Sequence, residues 1–490
     1  MLPLANLTLW LTPLWMLSLG VTLAALVLAI AYGVLWATNR RAADAAVAAI
    51  GESVLMPAVY LAGGLIALFA FALPQMPAKE VLASLQRLPS VGTKTTTVEL
   101  APRSVDTPVA VSMVADELTS YRIESDQDVR LSSAEGLAYT QPVAVIEGDE
   151  PYLWNTKSKY KRGLAGSLDA VYLTNDGDAP ANVTLEFNTA VRMPEVKRVP
   201  VTAAVVIGVV LAYLLLRWLA PDVSNIAAAT AKEAIAQPLF LLFVVGGAVA
   251  LVVYIYVPYN TFGEDVKMLK DSGLSTIMVL AILFAVWTAS VSVAEEIEGK
   301  TALTLLSKPI SRRDFILGKY AGMLWAVLLM FLLLGTVLMA TVSYKVVYDA
   351  RETSNPTPDW QLCHAEMVST APGLVLAFFE TAVLTAISVA ISTRLPMLPN
   401  LLICGAAYVL GHLTPLLVQS SVGENPFVQF FGRLLSVVIP MLDHLNIQAA
   451  IAAGQPVPGS YLAWAGLYSL CYIAIAMLAA LILFEDRDLA

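Results

Sequence analysis

At 490 residues, 58% of them hydrophobic and only 14% charged, with a mean hydropathy of +0.71, the chain lies outside the soluble range; soluble domains run about 45–50% apolar and about 25% charged. A net charge of −9 excludes a nucleic-acid surface built on general basicity. Three cysteines (Cys363, Cys404, Cys471) and three histidines (His364, His412, His444) lie far apart, which excludes a disulfide framework and a Cys/His metal motif.

The first ten residues carry no charge. The run Leu11–Trp36 is long enough to cross a bilayer, which takes about 20 apolar residues. It lacks a basic start and a small-residue cleavage site, so it reads as a retained helix and not a signal peptide. Arg40 and Arg41 follow at once, placing that end inside and the N-terminus outside. Ala42–Ser53 reads as an interfacial cytoplasmic helix, and a second span, Val54–Leu73, returns to the outside.

A polar region then runs from Pro74 to Pro200. Alternation predicts strands at Thr95–Leu100, Pro108–Val114, Ser120–Glu124, Val143–Ile146, Ala170–Leu173 and Asn182–Asn188. Asn175-Asp-Gly-Asp178 between two of these runs predicts a hairpin turn. The stretch VYLTNDGDAPANVTLEFNT resembles the penultimate hairpin of immunoglobulin-like sandwiches, so the region is expected to be an extracytoplasmic β-sandwich. Lys157, Lys159, Lys161 and Arg162 are either a partner patch or a solvated rim.

Val201–Leu219 is a third span. An alanine-rich helix over Asn225–Gln237 is expected to run along the surface before Pro238. Six further spans follow at Leu239–Val257, Ser275–Val293, Tyr320–Val346, Pro372–Thr393, Asn400–Val418 and Tyr461–Phe484. Lys300–Lys319, Arg394 and Arg487 fall inside, while Asp349, Glu352, Asp359 and Glu366 fall outside, in accord with the positive-inside rule. The expected fold is an α-helical polytopic membrane protein of about nine transmembrane helices, N-out and C-in, with one inserted extracytoplasmic β-sandwich. Pro426–Gly454, apolar but broken by Pro440, Asp443 and Asn446, reads as interfacial or re-entrant helices.

Residues 288–319, TASVSVAEEIEGKTALTLLSKPISRRDFILGK, hold the most specific local signals. Gly299 suits a helix C′ position. Thr301 opens a short leucine-rich helix that Pro309 closes. Ser311 reads as the N-cap of the next helix, with Asp314 in a capping box and Ile310 and Phe315 as a hydrophobic staple. The segment is predicted to be a folded helix-turn-helix knob.

The pattern E-x-x-G-x-T, a leucine-rich helix, S-x-P-x-S-R and then G-K resembles the coupling-helix region of type-2 ABC-transporter permeases. The matching residues are Glu296, Gly299, Thr301, Leu305, Leu306, Ser307, Pro309, Ser311, Arg312, Gly318 and Lys319. It is most similar to the subgroup serving nitrous-oxide-reductase maturation and gliding motility. The resemblance covers about residues 225–490. It implies a six-span core (225–490) with an elbow helix at 225–238 and a coupling region at 294–319; ahead of it, composition and alternation alone give two N-terminal spans (1–73), the β domain (74–200) and a third span (201–224). It also implies a separate P-loop ATPase subunit that receives the knob, and a second permease copy, identical or paralogous. The chain is then no enzyme and binds no cofactor of its own, ATP and Mg belonging to the ATPase. The absence of GxxxxGK[ST] agrees. The expected place is the cell (inner) membrane, with the β domain open to an extracytoplasmic protein.

Glu380 is an ionisable residue near the middle of a span, where such groups are expensive and often functional. Thr381, Thr385, Ser388 and Ser392 form a polar stripe beside it. The stripe is either a translocation path, with Glu380 protonatable or cation-binding, or a buried helix–helix seam. Glu295, Glu296 and Glu298 are either a solvated helix end or ion-pair partners of the ATPase or of Arg312 and Arg313. His412 reads as a satisfied core histidine. Two other functions stay open: an ion-coupled secondary transporter using Glu380, and a non-transporting scaffold that displays the β domain.

Overall fold

The computed structural model describes residues 7–51, 55–156, 158, 163–257, 259, 264–298, 311–353, 356–419, 430, 439–452 and 454–485. The described residues form two units, residues 76–200 and the remainder.

Residues 76–200 open with α4 (Ala78–Arg87), numbered after three helices of the other unit, and continue as eight strands. These are β1 (Thr93–Leu100), β2 (Thr107–Val114), β3 (Leu118–Ser125), β4 (Val129–Ser132), β5 (Ala144–Ile146), β6 (Tyr152–Asn155), β7 (Ser167–Asn175) and β8 (Ala181–Thr189). They make two antiparallel four-stranded sheets, ordered β1-β8-β3-β6 and β2-β7-β4-β5. Alternation in β3 turns Tyr121, Ile123 and Ser125 inward and Arg122 and Glu124 outward, while a register shift between Leu118 and Ser120 lets Leu118 bury as well. One core, including Val109, Val171 and Leu173 of one sheet and Tyr121, Leu185 and Phe187 of the other, joins them.

All six predicted strands are present, and β4 and β6, only four residues each, are additional. The predicted hairpin at Asn175–Asp178 is not one. β7 and β8 belong to different sheets, so the turn is an arch between layers. The buried Asn175 side chain bridges it, donating to the carbonyls of Ala101 (3.1 Å) and Ala179 (2.9 Å) and accepting from the Gly177 N–H (2.9 Å). Asn-Asp-Gly supplies the same local turn chemistry either way. The basic cluster Lys157, Lys159, Lys161 and Arg162 lies outside the described residues.

The other unit is helical: α1 (Leu7–Thr38), α2 (Arg40–Gly51), α3 (Met56–Ala72), α5 (Arg198–Leu219), α6 (Pro221–Ala236), α7 (Pro238–Val253) and α8 (Asp265–Ala289). It continues with α9 (Arg312–Glu352), α10 (Trp360–Ser369), α11 (Ala371–Ser392), α12 (Met397–Gln419), α13 (Gln448–Ala452) and α14 (Gly459–Glu485). Among the described residues seven helices are long and apolar enough to cross a membrane, or eight if the bent pair α6–α7 is one span. Exposed Leu, Val and Ile on α5, α7, α12 and α14 suit a lipid surface. This is a multi-pass membrane protein.

The expected spans at 239–257 and 400–418 are the departures from nine. α7 has only 16 residues and turns by 62° from α6 at Gln237, which Pro238 holds extended. α12 runs over 23 residues, Met397–Gln419, and its apolar stretch among the described residues is Met397–Leu413. Within Pro426–Gly454, the described residues include a 3-10 turn (Leu442–Leu445) and the short α13.

α6 packs one face on α9 and leaves the other exposed. Val223, Ala227, Thr230 and Ala231 are buried against α9. Gly318 and Gly322 of α9 allow the approach: a Cβ on Gly322 would lie 2.5 Å from the Ala227 carbonyl, and one on Gly318 2.6 Å from Ile226 Cβ. This is small-xxx-small packing, in which the missing side chains let two backbones meet.

Candidate functional site

α8 and α9 flank residues 299–310, and their facing ends are built from polar side chains. The last part of α8 is a π-helix, Ser290–Glu295, followed by a final α turn, Glu296–Glu298. The wider coil re-aims side chains, and such segments recur at functional sites. Here it turns Ser290 and Ser292 inward. Lys319 of α9 is 4% exposed; its ammonium lies 2.5 Å from Glu296 Oε1 and donates to Ser292 Oγ at 3.0 Å.

Glu296 therefore meets Lys319, and neither Arg312 nor Arg313. Arg312 donates to the carbonyls of Phe484 (3.3 Å) and Glu485 (2.9 Å), capping the last turn of α14. Arg313 and Glu295 are exposed. The cap at Ser311 is present: its hydroxyl accepts from the Asp314 N–H (3.1 Å) and donates to the Asp314 carboxylate (2.6 Å). Phe315 stacks on Phe484 with ring centroids 5.7 Å apart. Gly318 is a packing glycine. Gly299, Thr301, Leu305, Leu306, Ser307 and Pro309 fall in 299–310, outside the described residues, as does the staple residue Ile310.

The hydroxyl stripe of α11 is a closed seam in this conformation. Thr381 and Thr385 donate to the carbonyls of Ala377 (2.8 Å) and Thr381 (2.6 Å). Ser388, Ser392 and Ser290 all lie 2.9 Å from the amide nitrogen of Asn400, on α12. The amide and its three hydroxyls are fully buried. Asn400 thus ties α8, α11 and α12 together. The only sequence signal for it was an amide at the start of an apolar run.

Glu380 is fully buried, and neither carboxylate oxygen has a hydrogen-bond partner among the described residues. The nearby base is His412 of α12, with Nε2 at 3.5 Å from Glu380 Oε1.

At the opposite ends of α8 and α9 lie two buried lysines that the sequence reading passed over. Lys270 pairs with Glu366 and Ser369 of α10. Lys345 lies 2.8 Å from Asp349 and 3.5 Å from Asp265, and donates to the Ile255 carbonyl at 3.0 Å. Their clue was a lysine at the edge of an apolar run with acids on neighbouring segments.

No curated protein matches the chain. Residues 231–411, from the end of α6 through most of α12 and with the 288–319 stretch near the centre, match the family model described as ABC-2 family transporter protein.

Proposed function

We propose that this chain is the membrane-spanning permease subunit of an ATP-driven ABC transporter, working with a separate P-loop ATPase subunit. The observation that carries the reading is the match of residues 231–411 to the ABC-2 family model, with the basic connection between α8 and α9 near the middle of the matched stretch. The geometry supports it. Lys319 clamps the end of α8 to the start of α9, Arg312 ties α9 to α14, and Gly318 and Gly322 seat α9 on α6. A push on residues 299–310 is then delivered to several helices at once. The kinked α6 takes the role of the elbow helix.

In this reading the ATPase binds ATP and Mg, closes, and moves the knob. The rocking core then exports or extracts a substrate, or transmits force to an extracytoplasmic partner at the β domain. Two permease copies form the complex, nine spans run N-out to C-in in the cell membrane, and residues 76–200 lie outside. The motif spacing favours the nitrous-oxide-reductase maturation and gliding-motility subgroup.

The test is a mild-detergent pull-down of the tagged full-length chain, with mass spectrometry, on the native protein and on a Leu305→Asp/Leu306→Asp variant of unchanged melting temperature. A P-loop ATPase that accompanies the native chain and is lost from the variant supports the reading. Absence of any nucleotide-binding protein from the native preparation refutes it.

A further inference from the structure

The Glu380–His412 contact has a defined proton geometry. His412 Nδ1 lies 3.0 Å from the Tyr408 carbonyl, which can only accept, so Nδ1 carries the ring proton. In the neutral ring Nε2 is then a bare acceptor. It faces the Asn446 amide nitrogen at 3.3 Å and Glu380 Oε1 at 3.5 Å. Asn446 Oδ1 accepts from the Gln448 N–H at 3.3 Å, which orients the amide nitrogen toward the imidazole. A fully buried carboxylate with no donor among the described residues is a stranded charge, whereas a carboxylic acid there has a base to aim at.

We propose that Glu380 and His412, steadied by Asn446, form an intramembrane proton-binding site whose occupancy controls the seating of α12 on α11. The resting form holds one proton on Glu380, offered to Nε2. Transfer gives a carboxylate–imidazolium pair with no change in net charge. Release of the proton leaves a carboxylate beside a neutral ring, and that form drives the helices apart. The site rests on its own geometry and not on the ATPase reading, and its assay needs no ATPase.

Among the described residues the surrounding elements present little else that titrates. Tyr408 of α12 packs on His412, with ring centroids 4.7 Å apart. Tyr320 of α9 is engaged elsewhere, donating to the Ala382 carbonyl at 3.3 Å. Tyr468 and Tyr472 of α14 pack on one another, and the Tyr468 hydroxyl accepts from the Met441 N–H. Asp443 and His444 of the 3-10 turn are exposed. α8 faces the region with Ile282, and α13 uses Gln448 on Ser275. α10 commits Glu366 to Lys270.

The test uses the full-length chain in lipid nanodiscs, with the proton as the probe. Infrared spectra are recorded across an acid-to-alkaline titration alongside hydrogen–deuterium exchange of α12. The expected result is a buried carboxylic-acid carbonyl band that Glu380→Gln abolishes and His412→Gln shifts. In the native protein, alkaline loss of the band accompanies exchange in α12 that rises at least several-fold more than in Glu380→Gln, whose neutral amide mimics the protonated acid. No such band, a band indifferent to His412→Gln, or α12 exchange with the same pH course in native and Glu380→Gln proteins overturns the proposal. Glu380→Gln is near-isosteric; if it does not fold, Glu380→Asp should retain the band and shift its titration, and an unshifted titration overturns the proposal equally.

Discussion

Replacing Lys319 by Met tests the clamp between α8 and α9 directly. At 2.5 Å and an effective dielectric constant of about 20, the attraction to Glu296 is about 6–7 kcal/mol. Most of this offsets the desolvation of an ammonium that is only 4% exposed. Breaking a buried pair from one side typically costs about 3–5 kcal/mol, because the remaining charge is stranded. The Glu296 side chain is 21% exposed and keeps a contact besides Lys319, so it is not left wholly stranded and the expected loss for Lys319→Met is about 2–3 kcal/mol. The assay is thermal unfolding of the full-length chain in nanodiscs, where the variant should melt several degrees lower. Glu296→Gln combined with Lys319→Met removes both charges at once and should recover most of the loss. A single variant as stable as the native chain, or a double variant no better than the single, would refute the reasoning: the pair would then be a solvated surface contact despite its burial.

Three further outcomes are expected. Gly322→Val should destabilise by about 1–3 kcal/mol or more, since its Cβ meets the Ala227 backbone carbonyl, whereas Gly405→Ala, which opens onto free space, should be neutral or stabilising by about 0.5–1 kcal/mol; paired melting curves compare them. Asn400→Leu removes the donor shared by Ser290, Ser388 and Ser392 and should cost about 1–3 kcal/mol, read as a lower melting temperature and faster hydrogen exchange at the start of α12. Asp126 accepts from the Asn182 N–H (2.7 Å) and side-chain amide (3.0 Å), which hold its carboxyl below the ordinary value of 3.8. A depressed carboxyl stabilises the folded state above that value and loses its contribution as the pH falls through the folded one. The protection factors of amides at the start of β8, taken relative to the intrinsic exchange rate at each pH, should therefore fall on acidification in the native chain and stay level in Asp126→Asn.

Legibility differed by feature for physical reasons. Apolar runs announce membrane helices because a bilayer core demands length and hydrophobicity from one continuous segment. The cap at Ser311–Asp314 was equally plain, since both partners lie within one turn. Side-chain pairing was not. Glu296 chose Lys319 over the nearer Arg312 because the π-turn aims it along α9, and Arg312 was needed by the carbonyls ending α14. Likewise, the Asn175–Asp178 turn carries the same local signal whether the next strand pairs with the last or crosses to another sheet.

From sequence alone came the membrane class, the β-rich insertion between the second and third spans, the strand alternation, the cap and the coupling-helix resemblance. All of these rest on composition, on periodicity or on residues close together in the chain. The tertiary structure decided what depends on contacts between distant segments. It assigned strands to sheets, seated α6 on the glycines of α9 and closed the α11 stripe with Asn400. It also buried Lys270 and Lys345 among acids and set His412 beside Glu380. The two residues of that last pair are far apart in sequence, and only the packing of α12 on α11 gives the isolated carboxyl a base.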